Sequence, residues 1–193
     1  MITPQLISQI TDLAKGEITK YNAPSPTHFE MSLKKGKEFA KKLKARQDLV
    51  TLGICLMDVK LGEAMHAGKI TEHVAMSLAY TKEILEPSHE LTEQEKAIIY
   101  NAVESHHGAV PHTSLESEIV TNADCYRFIH PTGVTEFIRM LSKRELDSVV
   151  AIVEAAEAKL DEKWTLVTLP AVKAELEPYY RDYKKLFAIV KKG

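Results

Sequence analysis

Apolar residues recur along the chain at intervals of three and four positions rather than two. A period near 3.6 places side chains on one face of an α-helix, whereas strands alternate with a period of two. Glycine and proline are scarce, with 8 of each among 193 residues. The pattern predicts an all-α fold. Because no Gly/Ser-rich linker or low-complexity segment divides the chain, we expect one compact helical domain over residues 1–193.

The first clear helix start is marked by Ser25 and Pro26. A serine hydroxyl can accept a backbone N–H as an N-cap, and proline suits the first helical position because that position needs no N–H donor. We therefore expect a helix that begins just before His28.

The most apolar helix follows, over residues 49–57, with Asp48 as its predicted cap. It is apolar on nearly every side, as expected of a central helix surrounded by others. Asp58 comes at its end. Two further helices are predicted to start at capping boxes: one runs from Thr92–Glu95 to His106 and His107, and one runs from Thr113–Glu116 to about His130. The other predicted helices cover residues 69–86, a short segment after Gly133, residues 143–161 and residues 170–190.

Charge and composition narrow the functional classes. The formal charge of −2 and pI near 6.5 argue against a general nucleic-acid or membrane-surface binder. No segment reaches 18 uncharged apolar residues, and the N-terminus has no signal-peptide pattern, so we expect a cytoplasmic protein. Cys55 and Cys125 lack CxxC spacing and are interpreted as buried thiols.

Six residues of types that bind first-row metals lie on predicted helices or at their ends. An unpaired carboxylate is costly to bury, and both Asp58 and Asp124 lie among apolar residues, so something cationic should face each of them. Two buried carboxylates together with imidazoles favour a divalent metal. The predicted metal ligands are His28, Asp58, His73, His106, His107 and Asp124.

The order of these residues resembles the HD superfamily of metal-dependent phosphohydrolases. A His opens a helix, an Asp closes an apolar helix, and a His, a His-His-Gly step and an Ala-Asp follow. The resemblance extends from residue 27 to about 129, in the segments PTHFEMSLKKGKEFA, LGICLMDVK, TEHVAMSLAYTKEIL, AIIYNAVESHHG and LESEIVTNADCYRFI.

The resemblance implies an HD-type helical core over about 24–130, with additional C-terminal helices over 131–193 packed on it. It also implies hydrolysis of phosphomonoesters or phosphodiesters, often nucleotides, with one or two divalent ions such as Mn, Mg, Zn or Fe. His28, Asp58 and Asp124 would hold one ion. His73, with His106 or His107 and a bridging Asp58, resembles the family's second metal position.

The chain departs from the family pattern at the His-Asp pair itself, which here is Met57-Asp58. A thioether is a poor ligand for the ions of phosphate chemistry, so Met57 is interpreted as a core residue. The departure leaves a second hypothesis open. The chain would then be a catalytically impaired family member that binds metal or a nucleotide for sensing or interaction.

Hydrolysis would need an activated water and a cation for the remaining phosphate charge. Asp58, Lys60 and Arg127 are the catalytic candidates, the last because it lies three residues after Asp124 on the same helical face. The simpler interpretation of Lys60 and Arg127 is that each forms a salt bridge or is a solvated surface charge. Glu72 and Glu104 are weaker candidates for orienting imidazoles.

Other interpretations are less specific. His66 lies in a predicted loop and could replace the missing imidazole, while the turn histidines are interpreted as solvated: His89, His112 and His130. No GxxxxGK[ST], GxSxG or HExxH motif is found.

A third hypothesis is a helical interaction domain that uses the amphipathic stretch over 149–160. A small phosphorylated molecule is the predicted partner, and the sequence does not exclude a homo-oligomer.

Overall fold

The computed structural model describes residues 2–143, 146 and 148–193, and in that part of the chain it is helical with no strand. The predicted all-α class is confirmed. The helices are α1 (Pro4–Tyr21), α2 (Pro26–Leu43), α3 (Gln47–Met57), α4 (Leu61–His66), a 3₁₀ turn (Ile70–Glu72), α5 (His73–Leu85), α6 (Glu93–Ser105), α7 (Leu115–Ile129), α8 (Pro131–Leu141), α9 (Val149–Leu166) and α10 (Pro170–Val190).

The chain forms two compact units, Met1–Ala123 and Asp124–Gly193, and the division falls within α7. Each unit has its own packed helices and is described by itself. The single domain expected over residues 1–193 therefore stays a prediction. No helix in the described part of the chain combines the length and the apolarity needed to cross a lipid bilayer.

The first unit is organised around α3, whose residues from Leu49 to the C-terminal Met57 are all buried. Helices α1, α2, α5 and α6 pack against it. Gly53 allows a close approach, since a Cβ at that position would lie 2.8 Å from Val120 Cγ2 on α7 and 3.1 Å from Ala102 Cβ on α6. The predicted central helix is confirmed, and Asp58 follows as its C-cap.

The second unit is built from the end of α7 and from α8, α9 and α10. Helix α9 packs against both α8 and α10. Leu160 of α9 and Leu176 and Phe187 of α10 are almost fully buried and form part of its apolar interior.

Local capping chemistry predicts some helix starts correctly and misses others. Ser25 caps α2, with its hydroxyl accepting the His28 N–H, and the Thr92–Glu95 capping box is present at α6. By contrast, α3 begins before Asp48, whose carboxylate accepts hydrogen bonds from the Arg46 guanidinium.

The other differences have similar local causes. Helix α7 is capped one residue later than predicted, through hydrogen bonds between Ser114 and Ser117. The segment over 69–86 is divided into the 3₁₀ turn and α5, and α1 and α4 are not among the predicted helices. The helix predicted over 143–161 begins at Val149, and Arg144, Glu145 and Asp147 lie outside the described residues. The last helix is confirmed over Pro170–Val190.

Both cysteines are free and buried, as predicted. Burial raises the pKa of the Cys55 thiol to about 11 and that of Cys125 to about 12. A thiol with such a pKa is protonated at neutral pH and is a poor nucleophile and metal ligand. Neither cysteine is a candidate for the chemistry of the protein.

We expect Gly53→Ala to lower the free energy of unfolding by about 1–3 kcal/mol, because a new methyl group in a packed interior forces its neighbours to shift. Gly16→Ala on α1 is the matched control. Nothing lies within 4 Å of a Cβ at Gly16, so this change should raise helix stability by about 0.5–1 kcal/mol. Urea unfolding followed by circular dichroism measures both. A Gly53→Ala protein as stable as the wild type would contradict this packing.

Candidate metal centre

Four of the six predicted ligands come together in the first unit. Asp58, His73, His106 and His107 each place one ligand atom within 4.8 Å of the others. Three elements supply them: Asp58 is the C-cap of α3, His73 is the first residue of α5, and His106 and His107 follow the end of α6. Residues far apart in sequence therefore meet at the end of the central helix.

The separations between the ligand atoms suit a shared metal ion. His106 Nε2 lies 3.4 Å from Asp58 Oδ1, His73 Nε2 lies 3.6 Å from the same oxygen, and His73 Nε2 lies 3.2 Å from His107 Nε2. Ligands at about 2.1 Å from a tetrahedral or octahedral ion stand about 3.0–3.5 Å apart. These three separations are close to that spacing, and the ligand atoms of the whole group lie within 4.8 Å of one another.

Two of the imidazoles are oriented by the backbone. His73 Nδ1 lies 2.7 Å from the carbonyl oxygen of Ile70, and His106 Nδ1 lies 2.6 Å from that of Val103. A carbonyl oxygen only accepts hydrogen bonds, so each Nδ1 carries the proton and donates it. The Nε2 atoms are therefore the ones left to act as acceptors or metal ligands, which is how proteins usually orient metal-binding histidines.

His106 provides the clearest sign that a cation belongs here. Its side chain is fully buried, and its Nε2 has no hydrogen-bond partner among the described residues. In the tautomer set by Val103, that nitrogen presents a lone pair to a buried carboxylate oxygen. Two acceptors facing each other in a buried site are unfavourable unless a proton or a metal ion lies between them. The donor set therefore fits a divalent metal ion.

The group has a buried side and a more accessible side. The Asp58 side chain is 5% exposed and that of His106 is 0% exposed. His73 and His107 are partly exposed, and residues 66–72, which precede His73, are all exposed. A small molecule would therefore approach from the side of His73 and His107.

His28 and Asp124, the other two predicted ligands, are not part of this group. His28 is buried in the first turn of α2. Asp124 is fully buried in the second unit, where Lys163 Nζ lies 2.6 Å from its Oδ2 and Arg127 Nη2 lies 2.5 Å from its Oδ1. Protein cations therefore face the Asp124 carboxylate, where the sequence analysis anticipates a metal ion.

Lys163 is a structural cation that sequence reasoning missed. Its side chain is 0% exposed. Burial is the largest single influence and lowers the pKa of the ammonium group, but the charge of Asp124, its hydrogen bond with Lys163 and the nearby Cys125 together raise the pKa above its ordinary value. No motif marks this lysine, because its partner lies 39 residues earlier in the chain.

The two predicted catalytic cations also have carboxylate partners. Lys60 Nζ lies 2.8 Å from Glu63 and 3.6 Å from Glu17, and it lies 4.1 Å above the Tyr80 ring. The buried Arg127 is paired with Asp124. These contacts fit the simpler interpretation, in which both side chains serve as salt-bridge partners.

The remaining candidates lie elsewhere. Met57 is 1% exposed and contributes to the core, while its equivalence to the family's histidine stays a prediction. Glu72 pairs with Lys69 at 3.9 Å, and Glu104 is exposed. His66 is the last residue of α4 rather than a loop residue, and its ring lies against Tyr21.

The turn histidines differ from one another. His89 is exposed, as predicted. His130 is the N-cap of α8, and its side chain accepts the Thr132 N–H. His112 is partly buried, its Nε2 lies 2.8 Å from Thr121 Oγ1, and burial lowers its pKa. The prediction that it is a solvated loop histidine is wrong, because the loop before α7 folds back onto that helix.

Comparison with known proteins supports the fold. No protein-family model and no curated protein matches the chain. A crystal structure of a predicted HD superfamily hydrolase from an uncultured Thermotogales bacterium is similar to it, with a TM-score of 0.60 and 17% sequence identity. The similarity covers 83% of this chain and 86% of that one. The predicted resemblance to the HD superfamily is confirmed as a likeness in fold.

We expect Lys163→Met to lower the free energy of unfolding by about 3–5 kcal/mol, because it removes one partner of a buried ion pair. Lys159→Met is the matched control on the same helix. Its partly exposed pair with Glu162 should contribute less than about 1 kcal/mol. Urea unfolding of both variants tests this, and equal losses in the two would contradict a structural role for Lys163.

Proposed function

We propose that the protein is a divalent-metal-dependent phosphohydrolase that acts on small phosphate esters, nucleotides among them. The observation that carries the proposal is the buried His106 Nε2, oriented by Val103 toward the Asp58 carboxylate and without a hydrogen-bond partner among the described residues. An atom in that position is suited to bind a cation. The HD-type fold supports the same interpretation.

The proposed ligands are Asp58, His73, His106 and His107. Three imidazoles and one carboxylate suit borderline ions such as Zn²⁺ or Fe²⁺ better than Mg²⁺, which prefers oxygen ligands and keeps most of its water. His28 and Asp124 are not included, since the first is outside the group and the second has protein cations as partners. We therefore propose a site for one ion.

The protein residues have distinct roles in this proposal. Asp58 supplies the negative charge of the site and is the proposed catalytic carboxylate. Ile70 and Val103 fix the two imidazoles through their carbonyl oxygens before any ion is bound. When bound, a divalent ion lowers the pKa of a water ligand and offsets charge on phosphoryl oxygens. Lys60 and Arg127 are left out of the proposal, because carboxylates already engage both cations.

A second candidate function is a binding module that holds a metal or a nucleotide without hydrolysing it. Two observations favour it. Met57 is buried in the core rather than available as a ligand, and Asp124 is neutralised by protein cations. A site with fewer acidic ligands than the sequence resemblance implies would retain binding more readily than turnover.

We expect purified protein to contain about one equivalent of Zn or Fe by elemental analysis and to hydrolyse members of a phosphate-ester panel, with both properties removed by a chelator. His106→Gln should lose the metal, because it replaces the buried imidazole ligand. The exposed turn residue His89 gives the matched control, and His89→Gln should retain metal and activity.

The outcomes separate the two functions. Metal bound through His106 without turnover on any ester would favour the binding module. Protein that stays metal-free after incubation with excess Zn²⁺, Fe²⁺ and Mn²⁺ would contradict the hydrolase and would leave the binding module only in its nucleotide-binding form.

A further inference from the structure

A hydrogen bond to Ser77 connects α5, which carries the proposed ligand His73, to the turn that carries the proposed ligand Asp58. Ser77 lies on α5, four residues after His73, and is fully buried. Its Oγ accepts a hydrogen bond from the backbone N–H of Lys60 at 3.1 Å. Lys60 lies in the short turn between α3 and α4 that begins with Asp58. The bond therefore joins two elements that are adjacent at the candidate metal centre.

The turn that Ser77 contacts determines where the Asp58 carboxylate lies. Asp58 ends α3 outside the helical region, with φ −118° and ψ 17°, and its carbonyl oxygen accepts the Leu61 N–H at 2.9 Å. Lys60 follows at the start of α4, with φ −108° and ψ 9°. Backbone carbonyls accept the N–H groups of Asp58, Val59 and Leu61, whereas the Lys60 N–H is bonded to the Ser77 side chain. An external acceptor for the Lys60 N–H therefore restricts the conformation of the turn.

The spacing of His73 and Ser77 makes the connection specific. Residues four apart lie on the same face of an α-helix, one turn from each other. Helix α5 thus directs an imidazole and a hydroxyl toward the same end of α3. The imidazole Nε2 lies 3.6 Å from Asp58 Oδ1, and the hydroxyl holds the backbone two residues beyond Asp58. The distance between these two proposed ligands is consequently fixed by one rigid element.

We propose that Ser77 is a positioning residue for the metal centre, which holds the Asp58 turn so that the carboxylate meets His73 and His106 at ligand spacing. This rests on the proposed function and deepens it. Ser77 acts through Asp58 and touches neither ion nor substrate. Residues that orient metal ligands in this way typically change metal affinity by about 10–100-fold when they are altered.

The test compares three variants of the full chain loaded with Co²⁺, whose visible absorption reports the ligand set. Ser77→Ala removes the acceptor for the Lys60 N–H. Ser77→Thr keeps the hydroxyl, and Thr81→Val is the matched control. Thr81 is also buried on α5, but its hydroxyl donates to the Ser77 carbonyl within the helix and does not reach the turn.

We expect Ser77→Ala to weaken Co²⁺ and Zn²⁺ binding about 10-fold and to alter the Co²⁺ spectrum. Ser77→Thr and Thr81→Val should keep the wild-type affinity and spectrum. Thermal unfolding of the metal-free proteins shows whether each variant is folded. A loss of metal affinity can then be told apart from a loss of the fold.

Two results would overturn the proposal. Ser77→Ala with wild-type affinity and spectrum would show that the hydroxyl does not position Asp58. Equal loss of affinity in Ser77→Ala and Thr81→Val would show a general effect of packing in α5. Failure of the wild type itself to bind Co²⁺ or Zn²⁺ would instead contradict the proposed function, so the two failures are distinguishable.

Discussion

The burial of the Asp58 carboxylate at the end of an apolar helix is the constraint on which the candidate site depends. Helix α3 is buried along most of its length, so its C-terminal residue lies deep in the first unit. A charge there is tolerated only with cationic or hydrogen-bonding partners. The packing of α5 and α6 against α3 brings His73, His106 and His107 to this carboxylate, and a metal ion is the cation that we propose the four groups share. The helix packing that forms the first unit therefore also forms the candidate site.

Asp124 is a second buried carboxylate, in the second unit, and its charge is balanced in a different way. It is fully buried, yet its partners are an ammonium and a guanidinium group. A buried pair of this kind needs no ion from solution. A carboxylate among imidazoles, by contrast, is a site with capacity for a cation. For this reason we propose metal binding at the Asp58 group and a structural role for Asp124.

Preorganisation is the second feature of the proposed site. Both the Ile70 and Val103 carbonyls lie three residues before the histidine that they orient, so the same local geometry is used twice. Ser77 then ties the Asp58 turn to α5. Ligands held by backbone and buried groups lose little conformational entropy on binding an ion. The proposed site can therefore bind a metal without large rearrangement, while the choice of substrate depends on the surrounding surface, which includes the exposed residues 66–72.

Features that depend on neighbours a few residues apart could be predicted from the sequence. These include the all-α class, the N-cap at Ser25, the Thr92–Glu95 box and the run of buried residues that leads to Asp58. The ordered His and Asp residues also pointed to four side chains that the fold brings together. Helical period and capping are local, so they can be read along the chain.

Which distant groups meet depends on how the helices pack. Sequence spacing did not show that Lys163 faces Asp124, that Ser77 holds the Lys60 amide or that His112 folds back onto Thr121. The physical reason is that the partner of a buried polar group is set by how helices pack, and packing joins residues whose separation in the chain carries no periodic signal.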